Sequence, residues 1–229
     1  MRINKYLALK NIASRREADL FINDKKVLIN GKIALLGDKV NENDKVEIKG
    51  ENKNYVYFAF NKSKGVLTHS GDDLNRDINT YLNKLNIKEK VYPLGRLDKD
   101  SFGLIILTND GRITDKLLNP KFAHEKEYIV KTKYKLRSNF KEKIEQGVNI
   151  EGYKTKPAKV KIIDDNTFSI ILTEGKKHQI RRMVVALFNE VESLKRIRIM
   201  NIKLEKLKPN TLREIKGKEL EIFLKSLNI

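Results

Sequence analysis

The sequence predicts an α+β fold. Strand-like runs come in groups, helical patterns fall irregularly between them, and no internal repeat is present. At 229 residues, 40% of them hydrophobic, the chain suits one large domain or a small one joined to a medium one, with enough apolar surface for a real core.

The first fifty residues read as a compact module. Ile3, Tyr6 and Leu7 recur at helical spacing. Ser14-Arg15-Arg16-Glu17 has the form of a capping box, which makes Ser14 the cap of a second helix running through Phe21 and Ile22. Val27-Leu28-Ile29, the pair Asn30-Gly31 and then Ile33 predict a hairpin with a tight turn, and Val46-Glu47-Ile48 a further strand. Arg15 and Arg16 at a helix start, with Lys10, Lys25 and Lys26 nearby, suit phosphate contact, although solvated surface charge has the same pattern. Lys49 to Asn54 is polar and aperiodic and predicts a linker. The expected domains are therefore 1–49 and 55–229.

The second domain opens on a strand from Tyr55 to Phe60, a loop from Asn61 to Gly65 and a short helix from Thr80 to Leu85. Residues 95–111, GRLDKDSFGLIILTNDG, are its centre. The run Phe102 to Leu107 is short, apolar and bounded by turn residues, so it predicts a strand buried on both faces. The loop before it crowds Arg96, Asp98, Lys99 and Asp100 together. Catalytic groups favour loops held by a rigid core, and Leu97 could anchor Asp98, which makes Asp98 the leading candidate for chemistry. Turn capping is the competing role, and Asp100 or Asp110 would serve it as well. Beyond lie a helix from Gly111 to Leu118, a strand at Tyr128-Ile129-Val130, a helix from Ser138 to Gln146 stopped at Gly147, and a hairpin of Val160–Ile163 with Phe168–Leu172. A basic helix from Lys176 to Phe188, for which Asn189 supplies a left-handed stop, a strand from Ile197 to Leu204 and a helix from Gly217 to Leu227 complete the chain.

Lys and Arg number 48 against 30 Asp and Glu, a net charge of +18. Such an excess points to a polyanion, most simply nucleic acid. A genome biased to Lys and Asn would also raise the charge, but here the basic residues cluster in short stretches. With no Cys, thiol nucleophiles, thiolate zinc sites and disulfides are excluded. His69, His124 and His178 lack metal-ligand spacing, so no metal is expected. No apolar run is long enough to cross a membrane and the N-terminus lacks the apolar segment of a signal peptide, so a cytoplasmic location is expected.

The stretches SRREA, VLINGK and KVNENDKVEI in the first fifty residues resemble the S-four-type RNA-binding domain. Four later stretches, GRLDKDSFGLIILTNDG (95–111), HEKEYIV (124–130), EGKKHQIRRM (174–183) and LKRIRIMN (194–201), resemble the pseudouridine synthases of the RsuA and RluB/RluE/RluF type, in wording most like the RluF branch, which modifies large-subunit ribosomal RNA. Two positions depart from that pattern: Ser63 stands for the usual Pro of an NKPxG loop, and Asn189 for the usual Gly. The resemblance implies a catalytic domain with a central mixed, mainly antiparallel sheet flanked by helices. It also implies an isomerisation in which uracil leaves ribose at nitrogen 1 and is rejoined through carbon 5, without cofactor or metal. In that scheme Asp98 is the carboxylate that attacks ribose or uracil or assists a glycal route. Tyr128 stacks on the base and helps remove the carbon 5 proton, unless it is simply a core aromatic. Arg181 is expected to pair with Asp98, and Leu194 to wall the base. Lys176, Lys177 and Arg182 suit phosphate, and Arg96 the space left by a flipped uridine. The implied partners are ribosomal RNA or ribosome assembly intermediates, met by a monomer. A non-catalytic RNA-binding or ribosome-associated protein is the alternative that charge and N-terminal module alone would satisfy; a DNA-binding regulator lacks an obvious helix-turn-helix pair.

Overall fold

Helix α1 (Ile3–Leu9) buries Ile3 and Leu7 one turn apart, and α2 (Arg15–Asn23) presents Ala18, Phe21 and Ile22 to them. Ser14 caps α2 as expected. Its hydroxyl accepts the Glu17 amide at 3.3 Å while the Glu17 carboxylate accepts the Ser14 amide at 2.9 Å. Strand β1 (Val27–Ile29) turns through Asn30 and Gly31, both left-handed at φ 51° and 79°, into β2 (Lys32–Ile33). On its other edge β1 pairs with β3 (Val46–Ile48), completing a three-stranded sheet of order β2-β1-β3.

This is a computed structural model in which residues 1–10, 12–50, 54–68, 77–85, 87 and 89–229 are described. The expected linker at 49–54 falls partly outside them, as does His69. Among the described residues the chain continues as β4 (Tyr57–Lys62), α3 (Ile78–Lys84), β5 (Tyr92–Leu94), β6 (Phe102–Thr108), α4 (Ile113–Leu118), β7 (Lys126–Thr132), α5 (Phe140–Glu145), β8 (Asn149–Ile150) and β9 (Tyr153–Lys154). It closes with β10 (Lys159–Ile162), β11 (Thr167–Leu172), α6 (Gln179–Ala186), β12 (Val191–Ile199), β13 (Ile202–Lys203), β14 (Leu212–Glu214) and α7 (Gly217–Ser226).

The large sheet has the order β10-β11-β7-β12-β6-β4-β14, with β13 joined to β12 and β5 to β6. It is mixed and mainly antiparallel: β12 runs parallel to β6 and every other pair is antiparallel. As its apolar run predicts, β6 is buried from Gly103 to Thr108. Leu104 and Ile106 of β6 pack with Ile113 of α4 and Phe223 of α7, whereas Ile105 and Leu107 pack with Ile78 and Leu82 of α3. Beyond β12, a third cluster joins Phe140 and Ile144 of α5 to Ile180, Met183 and Val184 of α6.

Several element boundaries differ from expectation. The loop expected at 61–65 starts later, because Lys62 is still paired with Gly103. The basic helix begins at Gln179 rather than Lys176, and its left-handed stop is Phe188 (φ 61°) rather than Asn189. Asn189 is committed elsewhere: its side chain accepts the Tyr134 and Glu190 amides at 3.2 and 2.8 Å and donates to the Tyr134 carbonyl at 2.9 Å. The strand expected at 197–204 is instead β12 from Val191, broken at Met200 (φ 51°) to return as β13.

Candidate active site

Asp98 lies in the loop between β5 and β6, and that loop is anchored on both sides of it. Buried Leu97 accepts the Thr68 hydroxyl at 2.8 Å and returns its own amide to the same oxygen at 3.1 Å. On the other side the Lys99 carbonyl accepts the Gly65 amide at 2.8 Å, and the Ser101 amide closes a turn on the Asp98 carbonyl at 3.0 Å. Lys62, fully buried at the end of β4, clamps this corner: its ammonium donates to the carbonyls of Val66 (2.6 Å), Ser63 (3.1 Å) and Lys99 (3.4 Å). Burial pulls the Lys62 ammonium down to about 8, against the opposing pull of nearby Asp98.

The Asp98 carboxylate opens into a cavity of about 510 Å³. Arg96, Tyr128, Lys176, Lys177 and Leu194 line the same cavity, so most of the expected site residues converge there. Tyr128 comes from β7, paired with Ile170 of β11 and Arg196 of β12, and it packs against the clusters on both sides of the sheet's centre. Leu194 enters from β12, one pleat from Arg196. Lys176 is partly engaged already, its ammonium 4.6 Å from the Tyr153 ring centre.

Arg181 does not touch Asp98. Its guanidinium reaches the Ser101 hydroxyl and the Val191 carbonyl, both at 3.5 Å, the outer limit of a hydrogen bond. The side chain that does reach Asp98 is His178, whose Nε2 is 3.4 Å from Oδ1. The cause is local: α6 starts late, and His178 is its N-cap residue in the left-handed conformation (φ 51°), uncommon for any residue but Gly, though His, Asn and Asp adopt it more readily than the rest. Arg182 points away from the cavity to Glu151 (2.6 Å) and to the Lys177 and Ile150 carbonyls. Arg15 and Arg16, exposed on the first turn of α2, do not line the cavity.

Other lining groups were not singled out from the sequence. Arg196, 2% exposed, donates to the carbonyls of Leu104 (2.7 Å) and Gly95 (3.1 Å), tying β12 to β6 and to the start of the Asp98 loop. Lys126 faces the cavity, where burial and then the Arg196 charge lower its affinity for a proton. Glu174 holds the loop leading into α6, accepting Tyr153 (2.6 Å), Lys156 (3.0 Å) and Gln179 (2.7 Å). Burial would raise its carboxyl, but these three donors outweigh it and hold it below the ordinary range. The motif HEKEY contained Lys126, and EGKKHQ contained Glu174 and His178; only tertiary placement distinguishes them from neighbouring charges. The net result, among the described residues, is a carboxylate not tied up by backbone donors and an aromatic ring lining one cleft rimmed by basic side chains, which suits a reaction on a stacked base carried by a polyanion.

Comparison with known proteins agrees with that chemistry. Residues 56–186 match the model of the RNA pseudouridylate synthase family, and residues 1–46 that of the S4 domain. The ribosomal large subunit pseudouridine synthase B of Bacillus subtilis (strain 168) is 36% identical over 230 residues, covering 96% of this chain and 94% of that protein. The dual-specificity RNA pseudouridine synthase RluF of Escherichia coli (strain K12) is 38% identical over 226 residues, covering 96% of this chain and 77% of that one. A crystal structure of a pseudouridylate synthase superposes with a TM-score of 0.71 at 29% identity, covering 99% of both chains.

Proposed function

Because this chain belongs to the RNA pseudouridylate synthase family and carries an S4 domain ahead of the catalytic region, we propose that it converts a specific uridine of large-subunit ribosomal RNA to pseudouridine. The observation that carries this reading is that Asp98 and Tyr128 line one cavity rimmed by basic side chains. The bond from uracil nitrogen 1 to ribose breaks, the base turns, and carbon 5 bonds to the same ribose carbon. Carbon 5 loses a proton and nitrogen 1 gains one, so the product is an isomer. Asp98 supplies the carboxylate, whether toward ribose, toward uracil or in support of a glycal route. Tyr128 stacks on the base and helps take the carbon 5 proton. Arg181 acts as a positioning residue through Ser101, whose amide holds the Asp98 carbonyl. Leu194 walls the base, Arg96 fills the space of the flipped nucleotide, and Lys176 and Lys177 take phosphates. No cofactor or metal is required by this chemistry. The natural substrate is ribosomal RNA, free or in an assembly intermediate, met by a monomer in the cytoplasm through two units, 1–49 and 55–229.

The test is tritium release from carbon 5 of labelled uridine in large-subunit ribosomal RNA, with pseudouridines mapped in cells with and without the gene. Release, and one position lost with the gene, is the expected result. RNA binding without release from any ribosomal RNA would leave the non-catalytic alternative.

A further inference from the structure

A second cavity, of about 570 Å³, lies on the opposite face of the large sheet. Successive β12 side chains point to opposite faces: Leu194 and Arg196 enter the catalytic cleft, and Lys195 enters this cavity beside Phe102. The remaining wall is made by the end of β4 and by the turn before β14. That turn is fastened rather than loose. The Asn61 amide side chain donates to the Leu207 carbonyl at 2.7 Å, the Asn210 amide to the Asn61 carbonyl at 2.7 Å, and the Ser63 amide to the Asn210 side chain at 3.2 Å.

Its charge is one-sided. Lys64, Lys195, Lys206 and Lys208 line it together with the buried Lys62, against the single carboxylate of Glu205. Several exposed lysines elsewhere are neutralised, as in Lys131 with Glu192, Lys133 with Glu190 and Lys135 with Asp165. Among the described residues Lys64, Lys195, Lys206 and Lys208 have no ion-pair partner. Four unpaired ammonium groups around a concave, hydrogen-bonded wall carry a potential that a phosphate would relieve. The wall is also continuous with the catalytic loop, since Lys62 and Gly65 both hold the Lys99 carbonyl.

We propose that this cavity is a second RNA-backbone site, which takes phosphates of the same RNA whose target nucleotide enters the catalytic cleft. It rests on the RNA substrate of the proposed function and extends the footprint past the sheet edge. The target nucleotide enters the cleft, and the RNA backbone flanking it reaches the lysines of the second cavity.

The experiment compares the full chain with the double variants K206E/K208E and K206Q/K208Q, and with K141E/K143E, which alters two exposed lysines of α5 outside the cavity. Affinity is measured for a short hairpin and for the same hairpin with its flanking helices, from roughly 50 to 300 mM salt. Both cavity variants should bind the longer RNA about tenfold more weakly, with a log–log salt slope shallower by about 2, one for each phosphate no longer neutralised. Hairpin affinity and single-turnover rate at saturating RNA should be unchanged, as should the melting temperature. Cavity variants that match the unmodified chain or K141E/K143E on the longer RNA would overturn the proposal. Tritium release by the unmodified chain is scored separately, so a failure of uridine isomerisation cannot be mistaken for a failure of the second site.

Discussion

Replacing Asp98 with Asn keeps the shape of the side chain and the anchored loop around it, so the change isolates the carboxylate. Tritium release should fall by roughly 10³-fold or more, with RNA affinity and melting temperature held; release at the unmodified rate would end the assignment. Arg181 and Arg182 separate on geometry. Arg181→Met removes the guanidinium behind Ser101 and should slow single-turnover isomerisation at saturating RNA by about tenfold, an effect of about 1.4 kcal/mol. Lys at position 181 should restore part of it, having the charge but not the planar fork. Arg182→Met breaks a pair with the exposed Glu151 and should leave turnover unchanged, at a stability loss below about 1 kcal/mol. Equal slowing by both Met variants would mean that α6 acts as one unit. At this scale the sequence revealed residue types and their motifs, and Asp98, Tyr128 and Leu194 do meet in one cavity. It did not reveal that His178 adopts a left-handed conformation and so takes the place beside Asp98 that Arg181 was expected to hold. A backbone angle at one residue has no pattern in composition or spacing.

Strand β6 depends on Gly103, which is left-handed at φ 104° and lies against the β12 backbone, where a Cβ would come within 2.2 Å of the Arg196 carbonyl oxygen. Gly103→Ala should therefore cost at least about 3 kcal/mol, measured as a lowered urea midpoint with unchanged slope; a midpoint equal to that of the unmodified chain would show that β12 can move aside. The loop into α6 carries a pH signature. Glu174 is held below its ordinary value of 4.5 in the folded chain, so its contribution is complete above that value and is lost as the pH falls through the lower, folded one. Glu174→Gln should destabilise the chain at neutral pH by about 1–3 kcal/mol and flatten the loss of stability below about pH 5. An acid limb as steep as that of the unmodified chain would assign the dependence to other carboxylates. Elements governed by local chemistry were legible: the Ser14 box, the Asn30-Gly31 turn and the apolar run of β6. The short strands β5, β8, β9 and β14 were not, being two or three residues long and too short to show a period.

Residues 1–49 carry a net +4 of the total +18, and Ser14 and Glu17 lie so close to Gly111 that a side chain there would collide with them. Deleting residues 1–49 should leave a folded, active remainder that binds ribosomal RNA more weakly, with a shallower salt slope. An unchanged slope would mean that Arg15 and Arg16 take no phosphate. Fold class and the chemistry of the second unit could be read along the chain, but strand order could not, because β6 and β12 meet across some ninety residues with no local trace of the pairing. That pairing sets the order in which the protein can become an enzyme during its own synthesis. Asp98, in the loop before β6, and Tyr128, on β7, leave the ribosome before the strand that lies between β6 and β7, which is encoded at residues 191–199. Until it arrives, Gly103 has no backbone to lie against and Arg196 cannot hold the Gly95 carbonyl. A nascent chain carrying both residues thus still lacks the wall of the cleft that Leu194 and Arg196 supply, and the cleft closes only once residues 191–199 have been made.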